Sequence, residues 1–218
     1  AGDMSLGGKE AGLINSKNED WILSRFKNSS AKHLAFIPSH PLGYTAGKWR
    51  EWYPDVVASD EEEGIIMNEL LSGKKGKLTT KAEKYLWQKG WFLQHQRFLK
   101  GLSDRKDSSF TFSGDIHAVG SNQIVKSGDY LLRKPILSTL VGPISSSTGT
   151  WPSAARGIVA NKPEFLEVTE KLKIKEENGF SLINITSQKV NINLHICGGH
   201  KGSQEDDGSV KEVINLKV

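Results

Sequence analysis

Three features of the sequence predict an α/β fold that ends in antiparallel sheet. Leu34-Ala35-Phe36-Ile37-Pro38 and Phe110-Thr111-Phe112 are short apolar runs, halted by Pro and Gly turns, which is how buried strands read. Between them Trp91, His95, Phe98 and Leu102 recur along one face at helical spacing. Val190, Ile192, Leu194 and Ile196 then alternate strictly with polar residues, the period of a strand with one buried face.

The elements follow in order. Asn18 to Ser29 carries Trp21, Ile22, Leu23 and Phe26 at helical spacing, with Asn18 as the expected cap. The strand at Leu34 runs into Ser39-His40-Pro41-Leu42-Gly43, a loop set by Pro and Gly. From Tyr44 to about Thr80 periodicity is weak, apart from a short helical stretch near Gly64–Leu71. Gly73-Lys74-Lys75-Gly76-Lys77 reads as a solvated tip. The helix of Trp91–Leu102 leads through a charged connection to the strand at Phe110, which stops at Ser113-Gly114-Asp115-Ile116-His117. Strands are expected at 122–126 and 135–141, then a long Ser/Thr/Gly/Pro loop over 145–157. Phe180–Thr186 and Ile214–Val218 are the expected neighbours of the alternating strand, and no internal repeat is visible.

A chain of 218 residues with 37% apolar content supports one ordinary domain or part of a larger one. No run reaches the roughly 18–20 apolar residues that a membrane-spanning helix needs. The lone Cys197 excludes a disulfide framework. The net charge of +4 is scattered and opposed by Asp60-Glu61-Glu62-Glu63, so no nucleic-acid stripe is evident. No signal peptide is visible in the first residues.

The chemistry concentrates at strand ends. Asp115 and His117 leave one strand at i and i+2 positions, and an imidazole beside a carboxylate suits Zn, Mn or Fe. His40 ends another strand, although a loop histidine bonded to backbone explains it as well. Ligands in open α/β sheets gather outside the carboxyl ends of strands, where both fragments lie. His95 sits on the apolar face of its helix, in a core or outer-shell position, and His33 is expected at the surface. His195, Cys197 and His200 read as a strand and its turn rather than a metal cluster.

Phe112-Ser113-Gly114-Asp115-Ile116-His117-Ala118 resembles the Gly-Asp-x-His motif of PhoD-like (alkaline phosphatase D-like) metallophosphatases, within the calcineurin-like metallophosphoesterase superfamily. Pro41–Asp55, Gln94-His95-Gln96-Arg97, Gly142-Pro143-Ile144-Ser145 and Trp151–Gly157 are similar to segments of one branch, in the same order. The resemblance covers about residues 12 to 190 and implies the C-terminal part of a four-layer α/β/β/α sandwich, with 1–218 as one portion of a single domain. It implies a site for two metal ions (Zn, Mn, Fe or Ca), with His40, Asp115 and His117 as ligands and His95 behind them. Lys48 and Arg156 would act on the charge of a phosphate-ester substrate, and Trp49, Trp52 and Trp151 would wall its cleft. The earlier superfamily motifs, Asp-x-His, Gly-Asp-x-x-Asp and Gly-Asn-His-Asp/Glu, are not in the residues before Leu34. The expected partner is therefore the N-terminal half of the same domain, without which this chain is expected to be inactive. The resemblance also leans towards a periplasmic or extracellular setting. The competing expectation is a non-catalytic or degenerate binding module of the same fold.

Overall fold

The computed structural model describes residues 14–45, 55–58, 76–79, 89–144, 150–156, 159–163, 165–198, 210 and 212–217. The first helix, α1 (Ser16–Asn28), begins where the Asn15 side chain accepts the Asn18 backbone N–H at 3.0 Å. Asn15 is thus the cap in place of Asn18, which already lies inside the first turn. Arg25 and Lys27 occupy the last turn, where cations favour the helix dipole. Beyond it Arg105 donates to the carbonyls of Phe26 at 3.0 Å, Ser29 at 3.2 Å and Ala31 at 2.6 Å. One guanidinium therefore closes the end of α1 and fixes the entry to the next strand.

That strand, β1 (His33–Phe36), is half-buried and lies at a sheet edge, and Ile37 after it is 70% exposed. The buried strand expected here is shorter and less enclosed, because one side of it meets no described strand. β2 (Asp55–Ala58) and β3 (Gly76–Thr79) form an antiparallel pair in the stretch where weak periodicity promised no strands. Gly76 and Lys77 open β3 instead of ending a solvated tip, while the helical stretch expected near Gly64–Leu71 lies outside the described residues.

α2 (Lys89–Ser103) buries Phe98, Leu99 and Leu102. Gly101 lets α1 approach: a Cβ there would meet Phe26 Cδ2 at 3.0 Å and Leu23 Cδ2 at 3.2 Å. After α2 come β4 (Ser108–Ser113), β5 (Val119–Ser127) and β6 (Tyr130–Val141). The five-stranded sheet runs β1-β4-β6-β5, with β7 (Leu166–Lys175) at its far edge. β1, β4 and β6 are parallel, and β5 runs antiparallel to both β6 and β7. The β5–β6 turn is tight, with Gly128 at φ 57°, a conformation that glycine adopts without steric cost. α3 (Pro152–Arg156) precedes β7, in place of part of the expected long loop.

The C-terminal strands β8 (Asn178–Ile185), β9 (Val190–Gly198) and β10 (Glu212–Lys217) form the expected antiparallel meander, in the order β10-β9-β8. Three layers result. On one face of the large sheet Phe26, Phe98, Leu99 and Leu102 of the helices meet Ile124, Ile136 and Leu166. On the other, Phe110, Phe112 and Leu137 meet Val190, Ile192, Leu194 and Ile196 of β9. The chain is thus mixed α/β with a helix pair, a mixed sheet and an antiparallel sheet stacked in that order. β4 has neighbours on both sides, β1 and β6. Among the described residues no helix is long and apolar enough to cross a membrane.

Candidate functional site

The two strand-end segments singled out by sequence lie side by side. β1 and β4 are adjacent and parallel, with Phe36 opposite Thr111, so both carboxyl ends open at one edge of the sheet. Past those ends the Ser113 hydroxyl donates to the Ser39 carbonyl, tying the turn after β4 to the loop that carries His40.

In the turn after β4, Ile116 and Ala118 are buried in a cluster with Tyr44, Leu140 and Ala160. The Ala118 N–H donates to the Ile116 carbonyl at 2.7 Å, a tight turn centred on His117. Asp115 and His117, flanking the anchored Ile116, are only half-buried. His117 Nδ1 lies 3.2 Å from the Thr150 carbonyl, which can only accept. Nδ1 is therefore the donor in that bond, as it is toward a backbone carbonyl in many ligating histidines. Trp151 follows Thr150 and is itself buried at the start of α3. Arg156 ends α3, and Lys48, Trp49 and Trp52 lie outside the described residues.

His40 goes a different way. Its ring is 4% exposed and stands close enough to His95 to feel its charge. Burial, and secondarily His95, hold the His40 pKa well below the usual imidazole range. His95 is fully buried, and burial lowers its pKa to about 4 although the Leu42 carbonyl opposes the shift. His95 Nε2 is 2.7 Å from that carbonyl, so Nε2 carries the proton and donates it to the loop after His40. The apolar-face position read from sequence for His95 is therefore a buried one, and its bond positions the neighbouring loop.

Two further residues hold that loop, and sequence reading missed both. Asn122 Nδ2 donates to the Gly43 carbonyl at 2.8 Å, and the Gly43 N–H donates to Ser138 Oγ at 3.1 Å. A Cβ on Gly43 would fall 2.5 Å from Asn122 Oδ1 and 2.8 Å from Ser138 Cβ. Gly43→Ala is therefore expected to cost about 1–3 kcal/mol of unfolding free energy, as overpacking does. Gly114→Ala, whose added Cβ meets nothing nearer than 3.8 Å, is expected to stay within about 0.5 kcal/mol of wild type. Urea unfolding of both variants checks the pair. Equal midpoints would mean the loop is not clamped at Gly43.

His33 Nδ1 lies 2.5 Å from Ser108 Oγ, so it ties β1 to β4 rather than standing free at the surface. His195 faces away from the β9 core and stacks on Phe180 at 4.6 Å and 3° between planes.

No protein-family model and no curated protein matches this chain. The functional reading thus depends on the residues themselves. A carboxylate and an imidazole at Asp115 and His117 have the donor chemistry for a transition metal. Among the described residues, however, no three His, Cys, Asp or Glu side chains are grouped closely enough to hold one.

Proposed function

We propose that the chain is the C-terminal portion of a four-layer α/β/β/α metallophosphoesterase domain that hydrolyses phosphate monoesters or diesters. The observation that carries this reading is the side-by-side opening of the β1 and β4 carboxyl ends, with Ser113 tied to Ser39. The described stacking of a helix pair on a mixed sheet and of that sheet on an antiparallel one supports this reading. Asp115 and His117 would hold metal together with ligands from the preceding half of the domain. The side of β1 that meets no described strand, in the parallel part of the sheet, is where strands from that half would continue it. Two bound divalent ions would supply positive charge against the phosphoryl oxygens and acidify a water. Lys48 and Arg156 would add to that charge. Trp49, Trp52 and Trp151 would shape the cleft.

A non-catalytic module is the second reading, favoured by one observation. His40, the ligand expected at the end of β1, is sequestered with His95. Elemental analysis separates the two readings. The whole natural chain, equilibrated with Zn, Mn, Fe and Ca and then desalted, is expected to retain two ions. It should also hydrolyse bis(p-nitrophenyl) phosphate, whereas the 218-residue piece should do neither to more than trace extent. Retention of no metal by the whole chain would leave the binding module as the answer.

A further inference from the structure

Glu176 lies in the short link between β7 and β8, and its carboxylate reaches back to the start of α3. The Ser153 N–H donates to Glu176 Oε1 at 2.8 Å, and the Ser153 hydroxyl donates to Oε2. Each carboxylate oxygen thus accepts from the same residue, 23 positions earlier in the chain. Two bonds to one planar group fix direction as well as distance, and bonds to an ionised acceptor are stronger than neutral ones.

What those bonds hold is the segment that meets His117. Just before Ser153, Trp151 is buried, and one residue earlier the Thr150 carbonyl accepts from His117 Nδ1 at 3.2 Å. The link bearing Glu176 is tied to the same turn through backbone. Lys175, next to Glu176, pairs with Val119 in the β5–β7 ladder, and Val119 stands just past His117 in the chain. A closed ring of contacts results. It runs from His117 along the chain to Val119, across the ladder to Lys175 and on to Glu176. From there it crosses to Ser153, returns along the chain to Thr150, and closes on the His117 imidazole. Two of its links are side-chain bonds, Glu176 to Ser153 and His117 to Thr150. Opening the first removes the anchor that the ring gives to the second.

We propose that Glu176 is a positioning residue for His117: by holding Ser153 it sets the Thr150 carbonyl to which the imidazole Nδ1 donates, and with it the orientation of the ring. The value of that orientation for holding a metal rests on the metallophosphoesterase reading. The orientation itself does not, and it is measured without metal.

The test uses the whole natural chain, isotopically labelled at histidine nitrogen, with chelator at pH 8, and His117→Gln identifies the His117 signals. Nitrogen–proton correlation spectra read which ring nitrogen carries the proton. The parent is expected to hold it mainly on Nδ1. Glu176→Ala is expected to lower that share by about twofold or more, the effect of losing a hydrogen-bonded anchor. Glu176→Gln should restore it, because the amide oxygen accepts the Ser153 N–H and the amide N–H donates to the Ser153 hydroxyl. A role in folding alone would lower the urea midpoint of Glu176→Ala and leave the tautomer share where it was. An unchanged share in Glu176→Ala, or a parent with the proton mainly on Nε2, overturns the proposal. If Glu176→Ala fails to fold, Ser153→Ala removes the hydroxyl bond from an exposed residue and should lower the share in its place; no change there overturns the proposal too. Equilibration of the parent and Glu176→Ala with Zn separates the two readings. A parent that retains no metal defeats the metallophosphoesterase reading and leaves Glu176 to the tautomer result. A parent that retains metal, beside an unchanged tautomer share in Glu176→Ala, defeats the positioning role alone.

Discussion

In the whole natural chain, His117→Ala and Asp115→Asn are each expected to reduce phosphoester turnover by more than the roughly 10–100-fold that loss of an outer-shell group costs. The reason is where these side chains stand. Ile116 and Ala118 are buried in the cluster beneath, so the backbone of the turn cannot drift when a flanking side chain changes. Asp115→Asn keeps the shape and removes the negative charge a divalent cation needs, and His117→Ala removes an electron-pair donor. His95→Gln, by contrast, keeps a donor for the Leu42 carbonyl and should fall inside the 10–100-fold range. The measurement is kcat/KM on bis(p-nitrophenyl) phosphate, with bound metal counted in the same samples. Full turnover in both turn variants would remove the site from the β4 end. A worse loss in His95→Gln would move it to the loop after β1.

Stability is expected to fall as pH drops from about 6.5 towards 4. His95 has its pKa lowered from 6.5 to about 4 by burial, and His40 is shifted in the same direction by burial and by His95. Between those values the unfolded chain binds protons that the folded chain refuses, so acid favours unfolding. The stabilisation is fully present above the unfolded pKa and is lost as pH falls through the folded one. For His95 alone the change is on the order of 3 kcal/mol. Urea midpoints taken with chelator present at pH 7 and pH 4.5 read it. Carboxylates add their own slope to every variant, so the useful quantity is the difference from His95→Gln, which should flatten the profile. Parallel profiles for parent and variant would show that the buried imidazole is not the source.

Parts of this fold were plain in the residues. α2 and β9 show their periods because each buries a continuous apolar face, and the meander follows from β9 and its neighbours. β7 escaped notice for the opposite reason. It is an edge strand whose apolar residues Leu166, Val168, Leu172 and Ile174 alternate with polar ones, but Glu170 takes the place of the middle apolar residue and Lys, Glu and Thr fill the rest. The adjacency of the His40 loop and the Gly114–His117 turn was suggested by strand-end reasoning, and the parallel pairing of β1 with β4 supplies it. The Gly43–Asn122–Ser138 clamp had no local signature at all. Its bonds join positions 79 and 95 residues apart, and a buried Asn or Ser inside a strand looks like any polar residue until its partner is known.

The pairing of β1 with β4 also bears on how the chain assembles. His33 and Ser108, opposite one another in that ladder, are 75 positions apart, whereas β5 turns directly into β6 and β8 into β9. Hairpins of that kind close in microseconds, while a long loop must lose its freedom before a distant pair rewards it. The meanders are therefore expected to form early, with α1 and β1 docking onto them late. The half-buried β1, held at an edge, is expected to lose amide protection before the central β4 in native-state hydrogen exchange. On that order the loop bearing His40 is expected to meet the turn bearing Asp115 and His117 only at the final step.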